Sequence, residues 1–247
     1  MRKISFIQER TGMGVTRPFI CQTDDGQWFI VKTKAMMPIR QLLAETIGSE
    51  LAIKMGLPCP EISFVEITNE TNKYILSDWL SDLSVGSAFA SKYIDSAKIA
   101  KTVQANNVDY FPENLQKQLY MFDRWILNSD RTASQIGTGN INLLFDEQQQ
   151  KILVIDHNLA FDEENPEFDE HIFAPKNRMW RLDFVDQQLF TDRAIDIIKD
   201  FDHIYKLIPN DWFPVDEEEF EKIDNYLNKI YTLLNRITNK DYWSNIE

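Results

Sequence analysis

Strand-type runs dominate the N-terminal part of the chain. Ile4 to Glu9, Phe19 to Gln22 and Gln27 to Thr33 read as strands, and the last two flank Asp24-Asp25-Gly26, the turn signal of a hairpin. Between the first two runs lies Thr11-Gly12-Met13-Gly14-Val15-Thr16, a short loop with two glycines. The periodicity then changes. Leu43, Ile47, Leu51 and Met55 recur every four residues and predict a helix over Pro38 to Met55, beside a small-residue stripe of Ala44, Gly48 and Ala52 suited to close packing. Gly56-Leu57-Pro58 supplies the stop, with Gly just past the last turn and Pro soon after. Ile62 to Ile67 reads as a strand, Thr68 to Asn72 as a polar turn, Lys73 to Leu76 as a further strand, and Ser87 to Tyr93 as a short strand or extended segment.

Beyond Tyr93 the chain reads as mostly helical. Leu115, Leu119, Phe122 and Ile126 share one face of a helix over Glu113 to Leu127. A polar loop, Asn128 to Gly139, leads into Ile141 to Phe145 and Ile152 to Ile155, two β-rich runs joined by the polar Asp146 to Lys151 as a hairpin. Helices are predicted over Arg193 to Leu207 and Asp216 to Thr238, the second capped by Asp216 with Glu219 in the capping-box position. The apolar stripes of these helices are core packing and carry no functional message. The expectation is an α+β chain in two parts, residues 1–93 being β-rich with one main helix and residues 94–247 mostly helical around a hairpin.

A chain of 247 residues with 43% hydrophobic side chains has enough apolar material for a real core. The formal net charge of −13 repels phosphate backbones and anionic lipid, so direct nucleic-acid binding and membrane binding are not expected. Two cysteines, Cys21 and Cys59, make no disulfide framework, and His157, His171 and His203 lack a metal-ligand spacing. There is no signal-peptide pattern at Met1 to Arg10 and no apolar run long enough to span a membrane, which together predict a cytoplasmic protein.

The chemistry concentrates between Phe122 and Phe161, FDRWILNSDRTASQIGTGNINLLFDEQQQKILVIDHNLAF. Helix, loop and hairpin place Asp130 before the hairpin and Asp156 at the exit of its second strand, with Asn140 and Asn142 between them. Phosphoryl transfer needs such a set: one carboxylate to orient a hydroxyl and accept its proton, and a second with an amide oxygen to hold magnesium on the phosphates.

Three motifs, Asn128-Ser129-Asp130-Arg131-Thr132, Asn140-Ile141-Asn142-Leu143-Leu144 and Ile155-Asp156-His157-Asn158-Leu159-Ala160, resemble the signature of the compact branch of the HipA-like kinases. The resemblance extends over nearly the whole chain and implies a two-lobed protein-kinase-like fold using ATP and Mg2+. On it, Asp130 is the catalytic base, and Asp156 with Asn142 holds the metal, Asn140 being the alternative to Asn142. Lys32, in Phe29-Ile30-Val31-Lys32, matches the lysine that contacts the ATP phosphates, and Glu45 matches its acidic partner. Gly12, Gly14 and Thr16 fall in the phosphate-covering loop, and Lys92 lies in Gly86 to Tyr93, which resembles the segment leading to the adenine-binding hinge. The implied activity is a Ser/Thr kinase acting on a protein substrate. Such kinases include bacterial toxins, which implies an antitoxin partner, and Thr11 and Thr16 are candidates for inactivating autophosphorylation. A small-molecule or lipid acceptor, or an inactive nucleotide-binding pseudokinase, are the alternatives.

Two features depart from ordinary protein kinases. The position five residues after Asp130 is Gln135, so the match requires Ser134 to Gly139 to be an insertion. His157-Asn158 stands where Phe-Gly follows the metal aspartate, which leaves His157 without an assigned role. Arg131 either pairs with a carboxylate or is exposed. The acidic residues Asp162, Glu163, Glu164, Glu167, Asp169 and Glu170 read as a solvated loop.

Overall fold

The computed structural model describes residues 1–12, 16–73, 75–132, 140–163 and 167–245. Five strands, β1 (Arg2–Arg10), β2 (Phe19–Thr23), β3 (Trp28–Lys32), β4 (Ile62–Ile67) and β5 (Gly86–Lys92), close into a barrel in the order β1-β2-β3-β5-β4. Side chains alternate across a strand, so every second residue points inward. Phe19, Cys21, Phe29, Val31, Val65, Ile67, Ala88 and Ala90 fill the interior. The β2–β3 turn forms where Asp24-Asp25-Gly26 predicts it, with Gly26 at φ 80.

Helix α1 (Ile39–Met55) follows β3 and is buried on nearly all sides, including Glu45, Thr46, Gly48 and Ser49 beyond the apolar stripe. Its end is the expected one: Gly56 is left-handed at φ 85, and Leu57 N–H donates to Ala52 O at 3.0 Å. Arg193 donates from Nε and Nη2 to Lys54 O at 3.0 and 2.8 Å, anchoring that end to the second half of the chain.

Of the strand predicted at Lys73 to Leu76, the described residues Lys73, Ile75 and Leu76 are in no strand. A one-turn helix, α2 (Asn69–Asn72), is capped by Thr68 and tied to β1 by Thr71 Oγ1 donating to Ile4 O. A 3-10 turn follows at Ser77–Trp79, and the barrel closes without another strand. Tyr74 lies outside the described residues.

The second half carries a three-stranded sheet of β6 (Ala97–Ile99), β7 (Leu143–Asp146) and β8 (Lys151–Val154), in that order. The hairpin β7–β8 was expected; β6 was not, because three residues are too short to show alternation. Helices α3 (Thr102–Ala105), α4 (Glu113–Ile126), α5 (Phe184–Lys199), α6 (Phe201–Leu207) and α7 (Glu217–Leu234) complete it. The helix expected over Arg193 to Leu207 is two helices. The first begins at Phe184, capped by Asp183, and the chain leaves the helical region at Asp200 (φ −105, ψ 18), which turns Phe201 and Ile204 into the core. Asp216 caps α7 through Glu219 N–H at 3.0 Å, while the Glu219 carboxylate takes a bond from Lys222 instead of completing the box. No described helix is long and apolar enough to cross a membrane.

The chain returns to the barrel near its end. Asp211 Oδ2 accepts from Ser87 N–H at 2.8 Å, Trp212 Nε1 donates to Ser87 O at 2.9 Å, and the Trp212 ring meets Phe64 edge-on at 5.5 Å. Gly86 makes room for this strap. It sits at φ 133, and a Cβ there would lie 2.7 Å from Asp211 Oδ2. Gly86→Ala is therefore expected to cost roughly 1–3 kcal/mol, seen as a Tm several degrees lower. An unchanged Tm would show that the strap yields.

Candidate active site

The hairpin delivers two polar residues at one end. Asn142 precedes β7 and Asp156 follows β8 by one residue, and Ile155 N–H donates to Asn142 O at 3.2 Å as the last rung between them. Both adopt left-handed backbone, Asn142 at φ 46 and Asp156 at φ 62. Asn and Asp tolerate this region better than other L residues, yet something must hold them there.

Arg131 is that support. Its side chain is fully buried, and Nη1 donates to the carbonyls of Ile141 (3.3 Å), Ile155 (3.2 Å) and Asn142. One guanidinium thus gathers both ends of the hairpin. Its charge is balanced by Asp123, in the last turn of α4, whose Oδ2 accepts from Arg131 Nε at 2.7 Å and from His171 Nε2 at 2.9 Å. Phe173 N–H donates to His171 Nδ1, so the ring proton sits on Nε2. Asn128 Nδ2 closes the set on Asp123 Oδ1 at 3.0 Å. Burial raises the Asp123 carboxyl, but Arg131 and the His171 bond outweigh it and hold it at about 2. Burial lowers His171 and keeps the ring neutral.

Asp130 precedes this arginine. Its Oδ2 accepts from Asn140 Nδ2 at 2.8 Å and Asn142 Nδ2 at 2.9 Å, and Oδ1 carries no bond among the described residues. Partial burial, opposed by the Asn142 bond and reinforced by the nearby Asp156 charge, leaves its pKa raised. Thr132 N–H donates to Asn140 O at 3.0 Å, so the chain returns at Asn140 to where it left at Thr132. Residues 133–139, including Gln135 and the whole of the expected insertion, lie outside the described residues.

Lys32 leaves the barrel strand β3 toward α1 and the hairpin. Its Nζ lies 2.9 Å from Asp156 Oδ1 and 3.1 Å from Glu45 Oε1. The second Glu45 oxygen, Oε2, accepts from His157 N–H at 2.9 Å. Burial disfavours the ammonium, but the two carboxylates overcome it and the Lys32 pKa rises. Burial raises Glu45 against the pull of Lys32, whereas at Asp156 the Lys32 charge and hydrogen bond prevail over burial and lower the carboxyl.

The structure thus brings together Lys32, Glu45, Asp130, Asn140, Asn142 and Asp156. Lys92 is not brought to them. It pairs across the ladder with Phe29 while Lys32 pairs with Phe89. An offset of three residues places it roughly 10 Å along the strand and on the opposite face. Its Nζ donates to Gln27 Oε1 at 2.7 Å and lies 5.3 Å from the Phe29 ring centre. Gly12 and Thr16 flank residues 13–15, and Gly14 lies outside the described residues. Among the described residues, a Cβ on Gly12 would meet nothing within 4 Å. Reasoning from sequence missed Asp123 and His171. Asp123 did carry a signal, an acid among the apolar residues Leu119, Phe122 and Ile126; His171 carried none.

A divalent cation fits the donors present. Asn142 spends its amide N–H on Asp130 and Asp156 spends Oδ1 on Lys32, so Asn142 Oδ1 and Asp156 Oδ2 remain unpartnered among the described residues. Both are hard oxygens of the kind magnesium takes, usually with phosphate and water completing its shell. No group of three His, Cys, Asp or Glu converges among the described residues, as a cage made of protein alone would require. Thiol chemistry is disfavoured, since burial pushes Cys21 and Cys59 up to about 12.

The family model described as HipA-like kinase matches residues 4–246. No curated protein matches the sequence. Among solved structures, the Helicobacter pylori proinflammatory kinase CtkA has the same fold, with a TM-score of 0.54 and 10% identity over 99% of this chain and 96% of that one. A Golgi casein kinase with Mn/ADP bound aligns at a TM-score of 0.48 and 10% identity, over 100% and 76% of the two chains.

The buried triad makes two predictions. Asp123→Ala strands the Arg131 charge and is expected to cost about 3–5 kcal/mol in chemical denaturation; a loss below about 1 kcal/mol would remove Arg131 and Asp123 as the frame of the site. Because Asp123 is lowered on folding, its stabilisation is complete above its ordinary value of 3.8 and drains as pH falls toward about 2. In Asp123→Asn that part of the acid dependence should vanish.

Proposed function

The chain belongs to the HipA-like kinase family, and from that premise we propose that it transfers the γ-phosphate of magnesium-ATP to a serine or threonine hydroxyl of a protein. The observation that carries this reading is the buried Lys32 ammonium shared by Glu45 and Asp156 beside an Asp130 whose orientation is set by Asn140 and Asn142.

In this reading, residues 1–93 and 94–247 are the two lobes, and Lys32 draws the phosphates into the cleft between them. Asn142 Oδ1 and Asp156 Oδ2 hold magnesium, and when bound the cation neutralises charge on the phosphate oxygens. Asn142 is preferred to Asn140 because its carbonyl forms the rung to Ile155, one residue from Asp156. Asp130 keeps Oδ1 for the acceptor hydroxyl and takes its proton as the oxygen–phosphorus bond forms and the bond to ADP breaks. Its raised pKa makes it a better proton acceptor than an ordinary aspartate. The free thiols Cys21 and Cys59 suit a reducing compartment, and we place the protein in the cytoplasm.

Purified protein incubated with magnesium and labelled ATP, alone and with cell lysate, tests the reading. Label should pass to a protein band and fall by ~10²-fold or more in Asp130→Asn and Asp156→Asn. Nucleotide binding without transfer, unchanged in Asp130→Asn, would instead support a binding module, and transfer to a small molecule alone would change the acceptor class. The base must be deprotonated, so the rate should fall as pH drops through the raised Asp130 value. Asn140→Ala removes a bond that lowers Asp130, and the acid limb should move to higher pH. A limb unmoved in that variant would take Asp130 out of the base role. Phosphate on Thr11 or Thr16 after incubation with ATP would show self-modification of the glycine loop; its absence by mass spectrometry would end that idea.

A further inference from the structure

His157 follows the proposed metal aspartate, and its surroundings explain why a histidine stands there. Three positions of α1 at i, i+3 and i+4 receive it. Glu45 Oε2 accepts from its backbone N–H at 2.9 Å, Gly48 faces its Cβ, and Ser49 Oγ lies 3.2 Å from ring Nδ1. A Cβ on Gly48 would come within 2.6 Å of His157 Cβ, an atom too close to the backbone to move aside cheaply. The ring lies perpendicular to that of Phe122, with 5.9 Å between ring centres. His157 is 1% exposed, and its Nε2 has no hydrogen-bond partner among the described residues. An apolar ring would fill the same space without an orphaned nitrogen, so the Nδ1–Ser49 bond is what a histidine adds.

We infer that His157 is a positioning residue that ties the aim of Asp156 to the docking of helix α1. The inference rests on the kinase reading above for the identity of the metal aspartate. Asp156 is held in left-handed backbone at φ 62, and the bond from His157 N–H to Glu45 fixes the residue that follows it. Ser49 then fixes the His157 ring on the same face of α1. Whatever lifts α1 away breaks all three contacts together and releases the Asp156 carboxylate from its place opposite Lys32. His157 acts through geometry and carries no proton in the reaction.

The test uses the full chain, a non-hydrolysable ATP analogue and magnesium titrated by calorimetry, with amide hydrogen exchange across Asp156 and His157 as a second readout. Loss of one neutral hydrogen bond predicts that Ser49→Ala needs roughly three- to tenfold more magnesium for half-saturation. Its affinity for the analogue in EDTA should stay unchanged, and His157 amide protection should fall. His157→Phe should behave the same way, while His157→Asn, which keeps a polar group near Nδ1, should return toward wild type. Gly48→Ala should show the largest effect. Wild-type magnesium requirement and amide protection in both Ser49→Ala and His157→Phe would overturn the inference; if His157→Phe does not fold, Ser49→Ala decides alone. If wild-type protein binds no magnesium-nucleotide, the kinase reading falls, and exchange at His157 still decides whether α1 holds this segment.

Discussion

Lys32 keeps its charge where little water reaches it, with its side chain 10% exposed. An unpaired ammonium there would cost several kcal/mol, and Glu45 and Asp156 together remove that cost. Those partners come from different parts of the fold, Glu45 from α1 and Asp156 from the exit of β8. The charge therefore balances only when barrel, helix and hairpin are assembled. That requirement makes three otherwise separable elements one unit, and the site exists where they meet.

A second buried charge frames the other side. Arg131 binds three carbonyls at the ends of the hairpin and is neutralised by Asp123, which His171 and Asn128 also bind. The network reaches from the last turn of α4 to the segment around Phe173. There a neutral histidine, His171, bonds the buried aspartate and takes the Phe173 N–H on its other ring nitrogen. The two charge networks share a purpose: each spends a buried cation on holding polar backbone and side chains in conformations that they would not keep alone.

Much of the fold was legible because short-range rules govern it. Strand-type runs located β2, β3 and β4, the Asp24-Asp25-Gly26 signal located the turn between the first two, the four-residue period located α1, and Gly56 marked its end. The failures have physical causes. Lys73, Ile75 and Leu76 had strand-like composition, but they follow a turn that Thr68 caps and Thr71 ties to β1, and none of the three is in a strand. A continuous helix over Arg193 to Leu207 satisfied the period, yet the chain breaks at Asp200 and α6 buries Phe201 and Ile204. Strand β6 exists only because β7 offers an edge to pair with.

The sequence by itself determined which chemical groups stand at the ends of the helix, loop and hairpin, because motif spacing along a hairpin is a local property. From Asn128 to Ala160 it placed Asp130, Asn142 and Asp156 in the right order and on the right elements. Only the tertiary structure decided which groups meet. It joined Lys32 to Asp156 across 124 residues and Glu45 to His157 across 112, and it put Lys92 on the other face of its sheet. Partners so far apart in sequence are chosen by which buried charges must be neutralised and which donors must be satisfied, and no local pattern records that choice.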